Sequence, residues 1–217
     1  SLHDALPIYL QSSPFFGRIE FFPLSDVDYF AVTFLLDVFS AINDENDAEK
    51  YQKNIYHSLN VTKLFILDPN LSLPRLKRFV KFLVNHSSPI TKLRLDLCSV
   101  CNDGISCMVE FGLLNFLSSL ALVSNQITDA AVDTLCQALQ TPTCKVSALN
   151  LRGNQITDAG VVSLRQALQT PTCKVTALNL CDNWIIDAGV VSLCKAIQTP
   201  ICNVTKLHLS NNQITGA

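Results

Sequence analysis

Val146-Ser-Ala-Leu-Asn-Leu-Arg-Gly-Asn-Gln-Ile-Thr-Asp-Ala-Gly160 returns 29 residues later as Val175-Thr-Ala-Leu-Asn-Leu-Cys-Asp-Asn-Trp-Ile-Ile-Asp-Ala-Gly189. The copy before opens at Leu117 and the copy after at Val204, each again 29 residues away. A fixed period in the twenties marks a solenoid, in which each unit buries its apolar face only by stacking on its neighbours. Such a chain presents an extended surface.

Each unit has two halves. In the first, Leu149 and Leu151 point one way while Ala148, Asn150 and Arg152 point the other, the period-two alternation of a strand. In the second, Val161, Leu164 and Leu168 recur at helical spacing. Thr157 or Asp158 can cap that helix, and Thr170-Pro171 stops it, since proline cannot continue a helix. The asparagines at 125, 154, 183 and 212 fall where the strand must turn. A buried amide both donates and accepts, so Asn125, Asn154, Asn183 and Asn212 are expected to stack as a structural ladder. Cys98 takes this position in an earlier copy, where a thiol is a weak substitute. The aspartates at 129, 158 and 187 read as helix caps rather than as an acidic binding strip.

Weaker copies lie upstream. One opens at Ile90 and is 27 residues long; another opens at Val61, with Pro69 at the asparagine position and Asn70 displaced by one. Repeat starts thus fall near 61, 90, 117, 146, 175 and 204. Residues 9–60 read as an N-terminal cap or divergent repeat, with a strand over 19–24, a helix over 25–42 and a polar connection over 43–50. Ser1 to Ile8 match, residue for residue, a one-frame translation of a common sequencing-library adapter and are set aside as an artefact. The chain also has no initiator Met and stops in mid-repeat at Thr215-Gly-Ala217. It is therefore expected to be a C-terminally truncated internal fragment whose true N-terminus is missing.

The repeats resemble the leucine-rich repeats of the ribonuclease-inhibitor subfamily. The matching pattern is Leu-x-Leu-x-x-Asn-x-Ile, as in Leu149, Leu151, Asn154 and Ile156, followed by a helix and then Cys173. The resemblance covers 61–217 and is most specific from Leu117 onward. It implies an α/β fold: a right-handed horseshoe with a parallel concave sheet and outer helices. Similar repeats occur in ribonuclease inhibitor, NOD-like receptors, the Ran GTPase-activating protein and effectors that intracellular bacteria inject into host cells. The near-identity of neighbouring copies, such as Gln140 to Lys145 against Gln169 to Lys174, suits an expanding binding surface more than a catalytic constellation. The reading is a non-enzymatic protein-interaction module, cytoplasmic or secreted into a host cytosol, as part of a bacterial effector or a NOD-like receptor. The alternative is a GTPase-activating protein of the Ran-directed type.

Composition narrows the partners. Apolar residues make up 48% of the chain and charged residues 16%, the mix of a folded protein. A net charge of −2 argues against a phosphate-backbone binder, so no nucleic acid is expected. No apolar run reaches membrane-spanning length, so no membrane insertion is expected. No cofactor, metal or catalytic residue is assigned. Cys98-x-x-Cys101, with Cys107 nearby, lacks a second pair or a close histidine, and Cys144, Cys173 and Cys202 share one repeat position, as core thiols would. A protein partner of unknown identity is left. Its candidate contacts are Lys92, Arg94, Asp96, Asn150, Arg152, Asn179, Asp182, Lys206 and His208 on the outward side of the strands, where sequence varies over a constant framework. Recognition and drift at exposed positions both produce such variation. Trp184 joins them because its equivalents are Gln126, Gln155 and Gln213. It either projects as an anchor or folds onto adjacent turns.

Overall fold

The computed structural model describes residues 62–67, 69, 71–85 and 90–215. The adapter-like octapeptide and the strand, helix and polar connection expected within 9–60 lie outside these residues, as does the displaced Asn70. Strands and helices alternate: β1 (Lys63–Leu67), α1 (Leu73–Asn85), β2 (Lys92–Asp96), α2 (Asn102–Glu110), β3 (Ser119–Ala121), α3 (Asp129–Leu139), β4 (Ala148–Asn150), α4 (Asp158–Leu168), β5 (Ala177–Asn179), α5 (Asp187–Ile197) and β6 (Lys206–His208). The strands form one open, six-stranded, wholly parallel sheet in chain order. Each parallel step requires a crossover, and the helices supply it from one side. This is an α/β leucine-rich-repeat solenoid, with the described helices on one face of the sheet and no described element covering the other. No helix among the described residues is long and apolar enough to cross a membrane.

The core runs between sheet and helices. Leu93 and Leu95, Leu120 and Leu122, Leu149 and Leu151, and Leu178 and Leu180 are buried by two-residue alternation. Facing them are Val132 and Leu135 of α3, Val161 and Leu164 of α4, and Leu193 of α5. Helices α3, α4 and α5 each stop before a Thr-Pro: α4 ends at Leu168, and the Thr170 hydroxyl donates to Ala167 O at 2.5 Å, covering a carbonyl the helix leaves free. In the 27-residue copy, α2 is shorter and a 3-10 turn over Leu113–Asn115, entered through Gly112 at φ 71°, replaces the Thr-Pro segment.

Two ladders of polar side chains tie the turns together. Asn154 Oδ1 accepts from the backbone N–H of Asn125 and of Ile127, both at 3.0 Å, while its Nδ2 donates to Leu122 O at 2.8 Å and Leu151 O at 2.9 Å. Asn125 serves Cys98 N, Val100 N and Leu95 O in the same way, and Asn183 serves Ile156 N and Leu151 O. Asn212 accepts from Ile185 N and donates to Leu180 O. At Cys98 the thiol donates to Ile66 O and Asp96 O, which preserves the donor half of the role. The acceptor half is less needed there, because Pro69, one repeat upstream, has no N–H to offer.

The second ladder corrects the capping expectation. Thr157 is the residue that caps α4, accepting from Ala159 N. Asp129 instead reaches the next repeat, accepting from Thr157 N at 2.8 Å and from the Thr157 hydroxyl at 2.7 Å. Asp158 accepts from Ile186 N, and Asp187 from Thr215 N and its hydroxyl. Asn102 does the same for Thr128. The carboxylate sits beside the N-terminus of its own helix but is spent on the next repeat's first turn. Glycine makes room for it: a Cβ on Gly160 would lie 2.5 Å from Asp129 Oδ1, and one on Gly189 would meet Asp158 Oδ1.

Candidate functional site

The bare sheet face is organised by register. Lys63, Lys92, Ser119, Ala148, Ala177 and Lys206 are successive cross-strand partners and form one row. Phe65, Arg94, Ala121, Asn150, Asn179 and His208 form the next. The buried leucines between these positions turn every one of them to the helix-free side. Neighbouring parallel strands lie about 4.8 Å apart, so Lys92 and Lys206, four steps apart, are separated by roughly 19 Å. The candidates therefore form two charged ends with a small-residue floor between, not one cluster.

At the β1–β2 end, Arg94 is held on both sides. Its Nε and Nη2 donate to Asp96 Oδ2 at 2.7 and 2.5 Å, and its guanidinium lies 5.0 Å from the Phe65 ring centroid. Asp96 departs from the exposed position expected of it: it is 7% accessible, covered by the arginine it neutralises. It organises Arg94, which remains half exposed.

At the β4–β6 end, Arg152 Nε donates to Asp182 Oδ2 at 2.6 Å, and Asn211 Nδ2 donates to Asp182 Oδ1 at 2.8 Å, so one carboxylate joins three repeats. The Asn211 hydrogen bond and then the Arg152 guanidinium hold the Asp182 carboxyl below its usual value. Asn150 and Asn179 turn their Oδ1 atoms back to accept from Arg152 N and Cys181 N, both at 3.0 Å, which leaves the Nδ2 donors without a partner among the described residues. Trp184 follows the ladder residue Asn183; its backbone N–H is bonded to Ile156 O, and the residue is 51% exposed. Beside it Ile186, where the previous repeat has Thr157, is also exposed. Lys206 and His208 are exposed on β6.

Several of these relations were not visible in the sequence. The clamp on Asp182 needs Asn211, 29 residues on, and the Arg94 stack needs Phe65, 29 residues back. The recurring Asp-Ala-Gly was a signal for the second ladder, since each aspartate faces the glycine of the next copy rather than its own.

The thiols are core groups for the most part. Cys98, Cys107, Cys136, Cys144 and Cys173 are buried, while Cys101 and Cys194 are exposed. Burial pushes the Cys136 thiol up to about 12 and raises Cys107, Cys144 and Cys173 as well. No cluster of three or more potential metal ligands occurs among the described residues.

A family model described as "Leucine Rich repeat" matches residues 114–136, 144–164, 173–194 and 201–217. Mouse "NACHT, LRR and PYD domains-containing protein 5" is 28% identical over 97 residues, which is 44% of this chain and 8% of that protein. The chain thus matches only a small part of that relative. An internalin from Listeria monocytogenes is similar in structure, with 18% identity and a TM-score of 0.40 over 75% of this chain and 46% of the other.

Proposed function

The chain is a leucine-rich-repeat protein, and from that premise we propose that it is a non-catalytic protein-interaction module that holds its partner on the helix-free face of the sheet. One observation carries this reading: the buried face is almost uniform leucine and asparagine, whereas seven of the ten register steps along the two exposed rows change residue. Arg94, Arg152, Trp184 and the Lys206–His208 pair supply its anchoring side chains. Asp96 and Asp182 hold the two arginines in place, and Asn150 and Asn179 offer free amide donors. Similarity to a mouse protein of the NACHT, LRR and PYD type supports a receptor-type array. The 29-residue period with a full helix supports the ribonuclease-inhibitor-like subtype.

Affinity capture with the intact, full-length protein tests the reading. A bound protein should be recovered by the unsubstituted chain and lost on combined Arg94→Ala, Arg152→Ala and Trp184→Ala substitution. Truncation of large aromatic and arginine anchors at an interface costs about 2 kcal/mol or more each. Undiminished capture by the triple variant would place the partner elsewhere.

A further inference from the structure

We propose that the element of the partner seated on the sheet is an acidic, extended segment lying across the strands along the two register rows. The proposal rests on the sheet-face reading above and adds the chemistry of the partner. The two rows carry three charged lysines, Lys63, Lys92 and Lys206, together with His208 and an Arg94 already paired with Asp96, and no carboxylate, in a chain whose net charge is −2. Cationic side chains are therefore concentrated where partners dock. The nearest acids, Asp96 and Asp182, lie outside the rows and are already engaged by arginines.

Lys63 and Lys92 stand directly opposite each other in register, and neither has an ion-pair partner among the described residues. Like charges in that relation destabilise a sheet. An arriving carboxylate removes the repulsion, so the row stores an unfavourable term that an anion relieves. Between the charged ends, Ser119, Ala121, Ala148 and Ala177 keep the floor low enough for a main chain to approach. The free Nδ2 groups of Asn150 and Asn179 point to carbonyl acceptors on that chain. From β1 to β6 the rows span roughly 24 Å, the length of about seven extended residues. A nucleic acid strand fits less well: it binds by stacking bases on aromatics, and the one phenyl ring on the rows is already covered by Arg94.

The experiment is fluorescence anisotropy on the full chain with a labelled alternating Glu-Ala peptide of about ten residues, long enough for the span. A Lys-Ala peptide and an oligothymidylate of the same length serve as comparisons. The Glu-Ala peptide should bind at low salt, weaken as salt is added, and bind about tenfold or more weakly to Lys92→Glu/Lys206→Glu. Lys77→Glu, on the exposed side of α1, should leave binding unchanged. Lys92→Glu alone should raise the thermal midpoint, because it now faces Lys63, while it lowers affinity. A merely damaged fold would lower both. Absent binding, equal loss in Lys77→Glu, or tighter binding of the oligothymidylate overturns the proposal. If protein capture is lost on Arg152→Ala and Trp184→Ala but survives Lys92→Glu/Lys206→Glu, the acidic segment fails and the sheet-face reading stands.

Discussion

Replacing Asn154 by alanine removes the centre of the asparagine ladder, and the structure permits its cost to be worked out. Asn154 is 4% accessible. Its Oδ1 is the acceptor for the backbone N–H of Asn125 and of Ile127, both on fully buried residues. Alanine strands both donors, at about 1–3 kcal/mol each. The carbonyls of Leu122 and Leu151 also lose the Nδ2 donor, which adds less because under-satisfied carbonyls are better tolerated. The expected total is about 3–5 kcal/mol, a large share of a typical stability of about 5–15 kcal/mol. Asn212 is the internal comparison. It is half-buried and accepts from one backbone N–H, that of Ile185, so Asn212→Ala should cost about 1 kcal/mol. Urea denaturation followed by far-UV circular dichroism measures both, and Trp184, the single tryptophan, reports the adjacent turn by fluorescence. A loss below about 1 kcal/mol for Asn154→Ala, or an equal loss for Asn212→Ala, would refute the assignment of turn stability to the buried amides.

Gly160→Ala should destabilise by about 1–2 kcal/mol despite a helix-propensity gain near 1 kcal/mol, because the new Cβ displaces Asp129 from Thr157. In an Asp129→Ala background the same change should become stabilising, which a double-mutant cycle reads directly. A maleimide at about pH 8 should modify exposed Cys101 and Cys194 while Cys136, with its thiol pushed up to about 12, reacts only after unfolding; peptide mapping by mass spectrometry distinguishes them. An NMR titration should place the Asp182 carboxyl below 3.8, with Asn211→Ala and Arg152→Ala each relaxing the shift. Because the folded value is the depressed one, any contribution to stability is present above 3.8 and lost as pH falls through the folded value, and Asp182→Asn removes that acid-side slope.

The sequence of one repeat carried most of the fold. Alternation at Leu149 and Leu151 and the helical spacing of Val161, Leu164 and Leu168 are properties of a single 29-residue unit, and burial follows them closely. The amide ladder was legible for the same reason: a sharp turn must satisfy its own buried backbone, and one asparagine type recurs at that place. The aspartate row was misread because a carboxylate at a helix start has a sufficient local explanation. Its actual acceptor role belongs to a residue about 28 positions on, which only stacking brings near.

Local chemistry, set by near neighbours in the chain, was therefore determined by the sequence alone: strand, turn, helix, and the face each residue takes. Relations between repeats were decided by the tertiary structure. Arg94 lies over Phe65, Asp182 joins Arg152 to Asn211, and Asp96 is buried although its strand position faces outward. The physical reason is the register of the parallel sheet. It converts a separation of 27 or 29 residues into a gap of about 4.8 Å, so side chains that are strangers along the chain become each other's environment.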